Sequence, residues 1–326
     1  MIISQTPLRL SFLGGNTDFP EFYKKYGGCV LTTAIDKFVY CTIHKRFDDK
    51  IYVSWSKKEI VDDVSQIEHE LVREAMKKVG VSRGLEISFY ADVPSEGSGL
   101  GSSSSVTVGV LNALHQYKGD VVGAGQLAQE ACEIELGILK KPIGVQDQYI
   151  AAFGGLRFFE FCRSGKIIPH DLNMADGMME DLDNSLMLFY TGRTRKSKDI
   201  LNGLKNSLSG KEKTELNLKT KALAEEGFKC FQDGGVECLG DLLNQGWEIK
   251  KQMAEGITDP EIDQMYKNAL TSGATGGKIA GAGGGGFMML VVPWEKRKSV
   301  RAALKSYREV PFRLEPDGSK IIFNSK

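Results

Sequence analysis

Apolar and polar positions alternate through residues 3–13 (ISQTPLRLSFL), 28–46 (GCVLTTAIDKFVYCTIHKR) and 50–55 (KIYVSW), with turns rich in Gly, Asn, Asp and Pro between them. Alternation of this kind lays one face of a strand on a core, so the spacing predicts a sheet at the start of the chain. The apolar spacing becomes helical at 67–81, returns to strand at 84–93, and then predicts two helices at 102–117 and 125–139 and a shorter one at 146–153. Strand runs follow at 156–161 (LRFFEF) and 185–192 (SLMLFYTG), separated from the end of the chain by a charged amphipathic stretch, 194–271, that reads as three or four helices. A strand at 286–293, a helix at 296–307 and two short strands close the chain. Strands grouped before and after helices indicate an α+β fold. A chain of 326 residues has room for two domains, and the change of pattern puts them at 1–175 and 176–326.

Composition narrows the function classes. Hydrophobic residues make up 41% and charged residues 26%, as in ordinary globular proteins. Forty-two basic residues balance forty-two acidic ones, which argues against a general nucleic-acid or anionic-membrane binder and makes any anion site local. The six cysteines are scattered without CxxC pairs or zinc spacing, and read as reduced and mostly buried. His44, His69, His115 and His170 share no ligand spacing either. No basic, apolar leader opens the chain and no apolar run approaches ~18 residues, so a cytoplasmic protein is expected.

The chemistry concentrates in glycine-rich loops. In VPSEGSGLGSSSSVTVG a strand ends at Pro94, glycines follow at 97, 99 and 101 with Ser98 and Leu100 between them, and Ser102, Ser103, Ser104 and Ser105 open a helix. Glycines let backbone N–H groups approach a phosphate, the helix start adds roughly half a positive charge, and the hydroxyls can bond phosphate oxygens or Mg2+. The bland alternative is a loop with Ser102 capping a helix. The absence of a following GK[ST] separates the loop from Walker A. A second cluster, KIAGAGGGGFMMLVV, has Gly281, Gly283 and Gly286 at GxGxxG spacing, but with a helix expected before it and a strand after it, the reverse of a dinucleotide fingerprint. It reads as bare backbone against which another segment or a ligand packs.

Two further stretches offer charge. Arg9 interrupts an apolar strand and wants an anion, and Gly14, Gly15, Asn16, Thr17 and Asp18 after it form a turn able to meet vicinal hydroxyls or simply a β-turn. Asp147 lies in a Gly/Pro-punctuated segment, with Glu135 twelve residues upstream on the preceding helix. Phosphoryl transfer asks for a held metal, cationic charge and a group that orients the attacking hydroxyl, and two carboxylates beside a phosphate loop can divide those tasks. A solvated Glu135 and a capping Asp147 are the alternative.

Taken in order, PLRLSFLGGNTD, PSEGSGLGSSSS and KIAGAGGGG resemble the three motifs of the GHMP kinases over nearly the full chain. The resemblance implies an N-terminal domain like ribosomal protein S5 domain 2, a ferredoxin-like C-terminal domain, and an ATP- and Mg2+-dependent active site between them. It further implies a cradle from Pro94 through Ser105, Mg2+ on Ser103 and Glu135, a hydroxyl-orienting Asp147 partnered by Arg9, and sugar contacts from Gly15, Asn16, Thr17, Asp18, Gly283 and Gly284. Gly15 and Asn16 replace the Glu-His of galactokinases. The runs LGGNTDFPEFYKKYGG and QDQYIAAFGGLRFFEF are most similar to D-glycero-D-manno-heptose 7-phosphate kinases, with L-fucokinases next. That implies a sugar phosphate as partner, whose phosphate Arg193 and Arg195 in YTGRTRKSKD could meet, and leaves room for a homodimer. A sugar sensor on the same fold could dispense with Arg9, Glu135 and Asp147, yet all three are present.

Overall fold

The computed structural model describes residues 1–94, 97–172, 177–193, 197–206 and 210–325, and within 197–206 the side chains of 200 and 202–205. The first half runs β1 (Ile2–Leu13), α1 (Pro20–Tyr26), β2 (Gly28–Lys45), β3 (Ile51–Ser54), β4 (Lys58–Val61), α2 (Glu70–Val79), β5 (Leu85–Ala91), α3 (Ser102–Lys118), α4 (Ala124–Cys132), α5 (Gln146–Phe153), β6 (Leu156–Phe161) and β7 (Ile167–Asp171). The second runs α6 (Met178–Ser185), β8 (Leu186–Tyr190), α7 (Ser197–Asn206), α8 (Lys211–Gln232), α9 (Cys238–Lys251), α10 (Pro260–Thr271), β9 (Gly276–Ile279), β10 (Phe287–Val291), α11 (Arg297–Ala303), β11 (Arg308–Glu309) and β12 (Lys320–Asn324).

The fold is α+β, with two sheets. The larger has the order β12-β1-β2-β5-β3-β4, and β6 and β7 extend it from the first half of the long strand β2; the smaller is β11-β8-β10-β9. Pro7 cannot donate to the ladder, and the β1–β2 register slips between Pro7 and Leu8, which bends the strand pair. Along β1 the side chains of Leu8, Leu10 and Phe12 enter a core shared with Leu186, Leu188, Phe287 and Met289 of the small sheet. Arg9 and Ser11, on the alternate face, line a cleft. The period of two thus fuses the two sheets with one face of β1 and aims its charge with the other. A second core lies under α2, α3, α4 and α5, and a third backs the small sheet with α10 and α11.

Several expectations are adjusted. The last strand, β12, pairs with β1, so residues beyond 176 return to the first sheet; the expected boundary at 175/176 lies outside the described residues. Cys230 and Cys238 are disulfide-bonded, because the short turn between α8 and α9 brings the end of one helix onto the start of the next; the expectation of six free thiols is corrected there. Of the others, Cys29 and Cys41 are buried and Cys132 and Cys162 partly so. A strand, β9, precedes the second glycine cluster, which therefore joins two antiparallel strands and opens no helix. Among the described residues no helix is long and apolar enough to cross a membrane.

Candidate active site

The serine-rich loop meets β1 backbone to backbone, with Arg9 N donating to Leu100 O at 3.0 Å, and Ser105 Oγ donating to Pro7 O at 2.8 Å ties the start of α3 to the same strand. The N-cap of α3 is Gly101, in the left-handed region, and among the described residues no side chain caps the helix. Amides at such a helix start are free to meet an anion, as the expected phosphate cradle requires. The second glycine cluster closes on this loop from the opposite sheet. A Cβ on Gly281 would lie 2.6 Å from Gly99 Cα, so the two loops touch only because neither residue has a side chain.

Between these loops lies a cleft of about 510 Å³ lined by Arg9, Gly15, Asn16, Asp18, Gly97–Gly99, Gly101, Ser102–Ser104 and Asp147. Arg9 grips Asp147 with both arms of its fork, Nε to Oδ1 at 2.7 Å and Nη2 to Oδ2 at 2.6 Å, while Nη1 donates to Gly99 O. Bidentate pairing fixes both groups at the place where loop, strand and α5 meet. Asp18 is buried beside them, its Oδ2 accepting from Gln146 N at 3.2 Å and its Oδ1 without a protein donor. A Cβ at Gly144 would fall 1.9 Å from Asp18 Oδ2, so only glycine lets the 142–146 segment pass. Burial, reinforced by the charge of Asp147, pushes the Asp18 carboxyl up to about 6.

Glu135 falls where the expected helix 125–139 widens, from Glu133 to Ile138, into a π-helical turn. Its carboxylate is fully buried and accepts from Ser104 Oγ at 2.9 Å, Gln148 Nε2 at 2.7 Å and Thr107 Oγ1. Burial raises its pKa against the opposing pull of Lys141 and those donors. Ser103, on the cleft side, accepts instead from Lys141 Nζ at 3.2 Å, and Lys141 also pairs with Glu70.

Other expected contacts are placed differently. Leu100 is core, Pro94 is exposed, and the Thr17 hydroxyl spends itself on Gly14 O and Cys29 O, so these shape the loops rather than line the cleft. Gly283 and Gly284 pack on Ile257, and Gly281 and Ala282 line the cleft in their stead. Arg193 is away from the cleft lining, paired with Asp259 at 2.8 Å and with Glu261; Arg195 lies outside the described residues. Sequence reasoning missed Lys141, Lys250 and Lys278, all of which line the cleft. A lone lysine between glycines and a buried strand carried for Lys278 the same signal that singled out Arg9. Lys250 and Lys141 each sit in a Lys-Lys pair that looks like a solvated face.

The sequence matches the family models "GHMP kinases N terminal domain" over residues 54–155 and "GHMP kinases C terminal" over 227–309. The chain belongs to the GHMP kinases. It is 34% identical to the D-glycero-alpha-D-manno-heptose 7-phosphate kinase of Campylobacter jejuni over 93% of each chain. It is 25% identical to the L-fucokinase/L-fucose-1-P guanylyltransferase of Bacteroides fragilis, over 89% of this chain and 34% of that one. The crystal structure of a D-glycero-D-manno-heptose 1-phosphate kinase from Bacteroides thetaiotaomicron superposes with TM-score 0.81 at 27% identity over the whole of both chains. This GHMP kinase is accordingly an ATP-dependent sugar kinase, and the two-domain kinase fold expected from the motifs is the fold it has.

Proposed function

We propose that this kinase transfers the γ-phosphoryl group of ATP to the anomeric hydroxyl of D-glycero-D-manno-heptose 7-phosphate, giving the 1,7-bisphosphate for nucleotide-heptose biosynthesis. The observation that carries the chemistry is the Arg9–Asp147 pair set against an uncapped phosphate loop. The acceptor is inferred from the Campylobacter jejuni relative, which matches over 93% of each chain. Each Asp147 oxygen accepts one bond from Arg9 and keeps a lone pair for the sugar hydroxyl. The hydroxyl oxygen attacks the γ-phosphorus, the bond to the bridging oxygen of ADP breaks, and the hydroxyl proton passes to Asp147. Arg9, fixed to Gly99 O as well, keeps its charge beside the transferring group. Asp18, which lines the cleft and keeps one oxygen without a protein donor, takes a sugar hydroxyl.

Mg2+ fits the residues at the loop. Ser103 offers a hydroxyl on the cleft side, and Glu135, fully buried behind the cleft lining, keeps a lone pair on Oε1 beyond the bond from Thr107. Bound there, the ion would neutralise phosphate charge; a site completed by substrate oxygens needs few protein ligands.

ADP release measured with heptose 7-phosphate, heptose 1-phosphate, fucose, galactose, mannose and mevalonate tests the reading. A heptose phosphate is expected to give the highest kcat/KM. Preference for fucose would move the protein to the L-fucokinases, and ATP binding without turnover of any sugar would make it a sensor.

A further inference from the structure

Two lysines in the cleft are left without a task by the reaction as derived. Lys278, on β9, is nine-tenths buried, and its Nζ donates to Phe12 O at 2.7 Å. Lys250, near the end of α9, donates to Ile279 O at 3.2 Å and to Gly281 O. Both line the same cleft as Arg9. The acids of that cleft are engaged elsewhere: Asp147 by Arg9, Glu70 by Lys141, and Asp18 by the Gln146 amide. Among the described residues no carboxylate lies within ion-pair distance of either lysine. An ammonium has three donors, and here three carbonyls share six. Cations sunk in protein with only neutral partners are costly, and they are compensated when an anion enters. Burial, followed by the charges of Lys250 and Arg9, holds the Lys278 ammonium well below the lysine range, and burial with Arg9 brings Lys250 to about 7.

We propose that Lys250 and Lys278, with Arg9, form a cation trap for the phosphoryl group in transit from ATP to the acceptor hydroxyl. Position selects this group over a phosphate already on the sugar. Lys250 holds Gly281, Gly281 abuts Gly99 of the phosphate loop, and Arg9 bonds Gly99 O while gripping Asp147. Lys250 and Arg9 therefore flank the point where loop and hydroxyl-orienting acid meet, and Lys278, close enough to feel both charges, lines the same cleft, where charge on the equatorial oxygens must be stabilised. The inference rests on the kinase reading and on no particular sugar.

The test uses the full chain with Lys250→Met and Lys278→Met made singly, and compares binding of AMPPNP with binding of ADP. Each variant is expected to lose roughly 10- to 150-fold in AMPPNP affinity, the worth of a charge-assisted contact, while ADP affinity stays within about threefold. Removing a buried charge should leave the melting temperature at or above wild type. If a Met variant does not fold, Lys278→Gln and Lys250→Gln, which keep a donor for the carbonyls, give the same comparison. A rise in the KM of the phosphosugar with AMPPNP binding intact would show that the lysines hold the acceptor's own phosphate, overturning the assignment to the group in transit. No change in either would leave them as braces of the glycine turn and overturn the trap altogether. Wild-type protein that discriminates AMPPNP from ADP yet turns over no heptose phosphate would fail the substrate reading alone.

Discussion

Two cationic regions of this kinase invite comparison. The stretch 193–198 is conspicuous in the sequence and begins near a helix, whereas Lys250 and Lys278 are separated by almost thirty residues and draw no attention. At Arg193, the one cation of that stretch whose side chain is described, the fold reverses that standing. Asp259 caps α10 by accepting from the amides of Glu261 and Ile262, and both acids at that helix start take the Arg193 guanidinium. The positive end of the helix draws the carboxylates, and the carboxylates neutralise the arginine. Among the described residues of the cleft no acid is left over for the two lysines. Local density of charge says little about anion binding; what matters is whether the fold has already supplied the counter-charge.

The comparison is broken most severely at Asp147, the acid that keeps Arg9 from joining the free cations. Asp147→Asn should cut kcat by roughly 10²- to 10⁴-fold, the usual worth of a proton acceptor, with ATP affinity changed only a few fold. Near wild-type kcat in a steady-state assay would mean that cationic stabilisation suffices and that Asp147 only orients Arg9. Next in size is the metal pair. Ser103→Ala and Glu135→Gln should each raise the Mg2+ concentration giving half-maximal rate by about tenfold, as the loss of one charged contact would. Overlaid Mg2+ titrations would instead make Glu135 the polar brace of the loop that its bonds to Ser104, Thr107 and Gln148 also describe.

Asp18 sharpens the contrast from the acidic side, because it is a buried carboxyl beside another carboxyl rather than beside a cation. Its folded value of about 6 stands above the ordinary 3.8, so the folded state holds the proton more tightly. The stability this contributes is present below about pH 4 and is lost as pH rises through about 6. Over that window the loss amounts to up to about 3 kcal/mol at ~1.4 kcal/mol per pH unit. Asp18→Asn should therefore unfold at higher urea than wild type at pH 7.5 and match it near pH 4, while losing sugar affinity. Equal urea midpoints at both pH values would sink the assignment.

Much of this was legible beforehand, for reasons that differ by element. The helix expected at 146–153 is α5, Gln146–Phe153, because its apolar spacing and its flanking glycines coincide. β1 was readable from alternation, and Arg9 from being a charge in an apolar strand. α1 was not, since seven residues span too few turns for periodicity to show. β9 was hidden by its glycines, whose strand character comes from pairing with β10 rather than from propensity. The pairing of β12 with β1 joins the two ends of the chain, and no local pattern encodes it. The same holds for Lys250: a helix face that looks solvated becomes a cleft wall only once the second glycine loop is laid across it.

The smallest expected effect is the most direct check on the comparison. Arg193→Met removes as much charge as Lys278→Met, but from a site where two carboxylates already answer it. The KM for a phosphosugar and the affinity for AMPPNP should stay within about twofold of wild type. Partly exposed ion pairs are worth about 0–1 kcal/mol, so the urea midpoint should fall only slightly, through the Arg193 contacts that Asp259 and Glu261 lose at the start of α10. A tenfold rise in phosphosugar KM would mean that the arginine leaves its carboxylates for the substrate. The pairing seen here would then be a resting arrangement, and static neutralisation would no longer separate the two regions.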